Sequence, residues 1–333
     1  SFFFLFLIAA SPITHADSLA YHLTSASHIL FNGGFNTEII PFEDKLSGSG
    51  EIIIAIGLSY GLQQFGSLIQ FSSLFSLIPI FNINKIKNSN LNFILILLFT
   101  PITLFLISSP KPQLMPTMAS LIVFSFLFKN FLKNSQNKNI YNSILICILL
   151  INFSVKFSFI LSSFILFVIL IYQNFKIKNL NKFIFLGVCI FTYLVFPNFI
   201  FRIVNFQTNI IDLFLNPLPV NIIGYDIFKN HLVEADLNKS FINLIFPNTF
   251  GEISTIFGPG LLLILFLNTK KIKSKDNIYI FAILLFLIIE YFYGSSLNRF
   301  IYEPYTWMFF LLSVIGIRFK NLFKILMKYF YLQ

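Results

Sequence analysis

The chain has 333 residues, of which 56% are hydrophobic and 11% charged, with a mean hydropathy of +0.82 and a formal net charge of +10. Soluble domains carry about 25% charged residues, so a water-soluble enzyme is excluded, and so is a disordered segment. With two cysteines, a disulfide-stapled secreted domain is excluded too. What remains is an all-α polytopic membrane protein. The 47 phenylalanines accompany many Ile, Asn and Lys residues, all types with AT-rich codons, and carry no functional weight.

In chain order, the apolar runs 1–11, 64–82, 93–109, 116–133, 139–154, 157–173, 183–198, 254–268, 278–293 and 303–318 read as about ten crossings. Ser1 opens inside an apolar run, so the first span reads as truncated; the run could also pass for the tail of a signal peptide. Residues 49–62 are read as a helix on the outer surface, because a second crossing there would invert every later loop. The chain is expected to form one domain, 1–333.

Charge orients these spans. Alternate loops hold 16 of the 23 basic residues, from Lys85 and Lys87 to Lys324 and Lys328, with one acid, Asp276. The opposite loops hold the other seven basic residues and 12 of the 13 acids. The positive-inside rule places the lysine-rich loops in the cytoplasm. The basicity then has a topological cause, with membrane lipids as partners and no nucleic acid. Cys147 and Cys189 fall within spans, as small buried apolar residues.

Two long outer segments, 12–63 and 199–253, hold nearly all the acids and all four histidines. Loops of that length are usually functional. In the first, "SPITHADSLAYHLTSASHILFNGG", Asp17 or Ser18 can cap an amphipathic helix ending at Gly33-Gly34. Asp17, Tyr21 and His28 share one face of it at helical spacing. Asp17 with His15, His22 or His28 could supply some ligands of a metal site, for a divalent cation such as Mg or Mn. Glu43, Asp44 and Glu51 follow as carboxylates able to act as a base or to hold a cation. Lys111, Lys156 and Arg299 sit at short outer turns, where a cation beside hydrocarbon is a functional candidate. The second segment, with Arg202, Asp212, Asp226, His231, Glu234, Asp236 and Glu252, reads as a partly helical cap.

The run "SPITHADSLAYHL" after an apolar span resembles the first outer loop of the GT-C superfamily of integral-membrane glycosyltransferases. The likeness is to the branch of protein O-mannosyltransferases and lipid A aminoarabinose transferase, with Asp17, Tyr21 and His22 as an "Asp-x-x-x-Tyr-His" signature. "GEIIIAIGLSYG" (50–61), "SSPKPQLMPTMASL" (108–121), "INFSVKFSFIL" (151–161) and "YGSSLNRFIYEPY" (293–305) resemble further outer elements of that family. The resemblance implies a polyprenyl-phosphate sugar donor and a glycan, lipid or protein acceptor. The active site would face the periplasm or exterior of a bacterial inner (plasma) membrane. It implies Asp17 and Glu51 as catalytic residues, and Tyr21, His22, Lys111, Lys156 and Arg299 as substrate-binding residues. Asp17 and His22 are the implied metal contacts. The acidic pair typical of protein mannosyltransferases is not obvious unless Glu43-Asp44 replaces it, and the large C-terminal periplasmic domain of some relatives is absent. Two other functions fit less well. An O-antigen polymerase or ligase relies on loop arginines, and only Arg202 and Arg299 lie outside. A transporter or flippase needs charged residues in mid-span, where Glu290 and Lys156 are the nearest approaches.

Overall fold

The computed structural model describes residues 2–15, 18–35, 48–86, 90–129, 138–174, 180–206, 242–246, 256–267, 276–292 and 301–316. These are helical almost throughout, so the chain is an all-α protein. Helix α1 (Phe2–Ala10) is followed by a π turn, Ser18–His22, that runs into α2 (Leu23–Asn32). Gly33 ends α2 at φ 72° and donates its N–H to Ile29 O, a left-handed close that glycine adopts without strain. Helix α3 (Ser49–Ser59) comes next. Then α4 (Phe65–Ser73), a 3₁₀ turn and α5 (Leu77–Asn84) follow without interruption. Among the described residues this run, Phe65–Asn84, is the one helix long and apolar enough to cross a membrane. Several other helices are apolar but shorter, among them Leu114–Lys129, Ile140–Val155, Ile160–Gln173 and Asn277–Glu290.

The run 93–109, expected as one span, is broken into α6 (Leu91–Leu98) and α7 (Pro101–Ile107). Pro101 has no N–H to continue the ladder. The Thr100 and Thr103 hydroxyls instead both bond Leu97 O, satisfying a carbonyl the break exposes. Four of the remaining helices fall close to expected runs: α8 (Leu114–Lys129), α9 (Lys138–Val155), α10 (Ile160–Asn174) and α11 (Leu180–Leu194); α12 (Phe196–Phe206) reaches past 198 into the segment expected as a cap. A 3₁₀ helix (Pro259–Phe266), α13 (Asn277–Phe292) and α14 (Tyr302–Ile315) complete the set. Cys189 is exposed on α11 and Cys147 is half-buried, so neither is the fully buried residue expected from its place in an apolar run. On an apolar helix either face can be outermost, and composition does not choose between them.

The chain, read from its sequence as one domain, divides into two compact units, 1–77 with 104–239 and 78–103 with 240–333. In the second, α14 buries almost every side chain. The Tyr302 hydroxyl lies 2.7 Å from that of Thr103, and Trp307 packs on Phe286 at 5.3 Å. Gly260 lets the 3₁₀ helix approach closely, since a Cβ there would stand 2.9 Å from Ile96 and 3.2 Å from the Tyr305 hydroxyl. The first unit holds α1–α4 and α8–α12, and with them the polar cluster described next.

Candidate functional site

Helix α3 begins "GSGE", and each residue of that run has a structural task. Gly48 stands at the N-cap, and its N–H donates to Glu51 Oε2 at 2.7 Å, the reach-back arm of a capping box. A Cβ on Gly48 would collide with the backbone carbonyls of Ser154 and Val155, so α3 starts directly against the turn that carries Lys156. A Cβ on Gly50 would collide with the Pro112 ring, in the turn that carries Lys111. Two glycines therefore seat the start of α3 between two lysine-bearing turns. Ser49 adds a hydroxyl contact to Ser154 at 3.1 Å.

Into this place comes His22, at the end of the π turn. Its Nδ1 lies 2.9 Å from Glu51 Oε1. A carboxylate oxygen only accepts, so Nδ1 carries the proton and donates. With Oε2 held by Gly48 and Oε1 by His22, both oxygens of Glu51 are committed to the protein. His22 Nε2 is buried without a hydrogen-bond partner among the described residues. The Tyr21 ring lies against the imidazole, 3.8 Å between centroids. Relative exposure is 0% for His22, 2% for Glu51, 2% for Lys111 and 7% for Lys156, so the group is closed off as a unit.

Electrostatics favour a neutral imidazole. Burial is the largest cause and pulls the pKa of His22 from the usual 6.5 down to about 4. The Glu51 hydrogen bond and charge oppose this, while the charges of Lys156 and Lys111 add to the lowering. Both ammonium groups thus act on the ring. Lys111 Nζ also stands 5.0 Å from the centroid of Phe105, whose other neighbour is the His15 ring at 4.5 Å. The segment before the π turn is docked on the same loop. His15 Nε2 lies 2.8 Å from Ser108 Oγ, and Ser18 Oγ lies 2.8 Å from Ser109 Oγ. The backbone N–H of Lys111 donates to Ser109 Oγ at 3.2 Å.

Of the residues singled out in the sequence, the structure brings together Tyr21, His22, Glu51, Lys111 and Lys156. Asp17, Glu43, Asp44 and Arg299 lie outside the described residues, as does most of the expected cap, 207–241 and 247–255. His28, expected on the face shared by Asp17 and Tyr21, instead has Nδ1 3.0 Å from Gly34 O and closes the end of α2. That expectation assumed α-helical spacing throughout, whereas Ser18–His22 winds as a π turn. Sequence reasoning passed over Gly48, Gly50, Ser108 and Ser109, which seat the site. A glycine-serine-glycine run directly before an acid was the available signal for the first two.

The divalent cation expected at Asp17 and His22 involves a residue, Asp17, that lies outside the described ones. Among the described residues no three His, Cys, Asp or Glu side chains converge. The chain matches the DUF1420 N-terminal domain family over residues 2–329, and it belongs to that family. No curated protein and no solved structure matches it.

Proposed function

For this member of the DUF1420 N-terminal domain family, we propose a polytopic membrane glycosyltransferase. It moves a sugar from a polyprenyl-phosphate donor to an acceptor hydroxyl, with inversion, at the outer face of a bacterial inner membrane. The observation that carries this reading is the meeting of two buried lysines with the His22–Glu51 pair at the start of α3. Lys111 and Lys156 are both buried and their charges both act on His22 beside Glu51, and the phosphate of the leaving group is an anion suited to a place with two ammonium groups.

The placement in the membrane rests on further support. Phe3, Phe185, Val188 and Tyr193 expose 72%, 71%, 56% and 81% of their surface on apolar helices, where lipid is the fitting solvent. The charge bias of the loops gives the orientation. The donor's tail stays in the bilayer and its anomeric carbon lies at headgroup depth. Lys111 and Lys156 then hold the departing phosphate as its charge develops. The resemblance adds Arg299 as a bidentate phosphate ligand and offers Asp17 as one candidate to take the acceptor proton.

The test is binding of a polyprenyl phosphate to the detergent-purified chain, read by calorimetry against the uncharged polyprenol of equal length. Binding of the phosphate at least tenfold tighter than the alcohol supports the reading. Equal affinity for the two removes it.

A further inference from the structure

We infer that, in the transfer proposed above, the acceptor's hydroxyl proton passes to Nε2 of His22, with Glu51 as the positioning residue that fixes the imidazole for it. This deepens that reading and rests on it.

Geometry limits which atom can serve. Glu51 enters the sequence reading as a catalytic carboxylate, yet its Oε1 accepts from His22 at 2.9 Å and its Oε2 accepts from Gly48 N–H at 2.7 Å. Taking a substrate proton would remove the charge that strengthens both of these bonds. His22 is arranged the opposite way. Its Nδ1–H is held by Glu51, which fixes the tautomer and leaves the Nε2 lone pair bare. That nitrogen is buried and has no hydrogen-bond partner among the described residues, so a donor brought to it would satisfy it. An acceptor hydroxyl is such a donor. Tyr21, tilted by 34° with its centroid 3.8 Å away, packs against the ring.

The charges facing the ring give the step its timing. Glu51, Lys111 and Lys156 act on it, and His15 stands on the neighbouring segment against Ser108. Before reaction the Glu51 hydrogen bond holds the proton on Nδ1 and leaves the Nε2 lone pair to accept another. During reaction the acceptor oxygen forms its bond to the anomeric carbon, and the bond from that carbon to the phosphate oxygen breaks. The electron pair leaves with the phosphate. The acceptor proton moves to Nε2, so that Glu51 faces an imidazolium and the lysines face the released phosphate. Each new charge then has a partner of opposite sign.

The experiment uses the full chain in nanodiscs with short-chain polyprenyl phosphates bearing mannose or aminoarabinose, and membranes as the source of acceptors. Three readouts are taken: donor binding, release of polyprenyl phosphate, and the ¹⁵N spectrum of the labelled histidines. In the wild type the His22 signals should show a protonated Nδ1 and a bare Nε2. His22→Gln, which keeps a hydrogen-bonding side chain but no base, should bind donor like the wild type and lose about 10²–10⁴-fold in turnover. Glu51→Gln should retain donor, lose turnover and show a mixed tautomer. Asp17→Asn should keep more turnover than His22→Gln. Full turnover in His22→Gln, or a spectrum with the proton on Nε2, overturns the assignment while leaving the donor reading standing. Failure of the wild type to bind the donor overturns the proposed function and this assignment with it.

Discussion

Replacing Gly48 with alanine perturbs the site without touching any group that does chemistry. The backbone there, φ −138° and ψ −164°, suits any residue, so the whole effect comes from contact. An added Cβ would lie 2.7 Å from Ser154 O and 2.9 Å from Val155 C, and closer still to Val155 O. All three are backbone atoms and cannot swing aside. Either α3 or the 154–156 turn must retreat by several tenths of an ångström, which moves Glu51 away from Lys156. Overpacking of this kind costs about 1–3 kcal/mol, and each kcal/mol lowers Tm by about 2–4 °C in chains of 150–250 residues. The assay is thermal unfolding of the purified chain, paired with polyprenyl phosphate binding. Gly34→Ala is the control, since a Cβ there meets nothing within 4 Å. A Gly48→Ala protein with the Tm and binding of the wild type would refute the claim that this glycine seats the site.

Lys111→Met and Lys156→Met keep most of the side-chain volume and remove the charge. Each should weaken polyprenyl phosphate binding about tenfold or more, as expected for losing a hydrogen bond to a charged group, with no change in affinity for the uncharged alcohol. The pH dependence follows from His22. Its folded pKa, about 4, lies below the ordinary 6.5, so the unfolded chain takes up a proton that the folded chain refuses. Stability from this group is complete above pH 6.5 and falls as the pH drops from there toward 4; Tm measured at pH 7 and pH 5 should differ less in His22→Gln than in the wild type. For topology, Cys147 and Cys189 are first replaced by serine. Cysteines placed at Asn88 and Ser274 should then resist impermeant thiol reagents in intact cells, while one at Asn230 reacts; labelling of the first two would reverse the orientation.

Much of this arrangement is legible in the sequence, for reasons that differ between residues. The span 64–82 is matched by one helical run, Phe65–Asn84, because an uncharged apolar stretch of that length has few other structures open to it. The break at Pro101 was readable from proline chemistry, yet the unbroken apolar pattern of 93–109 overrode it. Glu51, His22, Lys111 and Lys156 stood out as polar residues at the ends of apolar runs, where each needs a partner. Their pairing did not, because His22 and Glu51 lie 29 residues apart and no local period relates them. The expected grouping of Asp17, Tyr21 and His28 assumed α-helical spacing throughout, whereas Ser18–His22 winds as a π turn. The lysines and Glu51 met because glycines allowed close approach, and a sequence shows a glycine without showing what it admits.

The central claim is that the His22, Glu51, Lys111 and Lys156 group transfers sugar from a polyprenyl phosphate. Membranes containing the wild-type chain, or the Lys111→Met/Lys156→Met double variant at equal abundance, are given polyprenyl-phosphate sugar labelled in the sugar. Incorporation of label into membrane glycan, lipid or protein is then counted. The account predicts incorporation above that of membranes lacking the chain for the wild type, and none above that level for the double variant. Equal incorporation by both proteins, or none above background by the wild type with a bound donor, would contradict it.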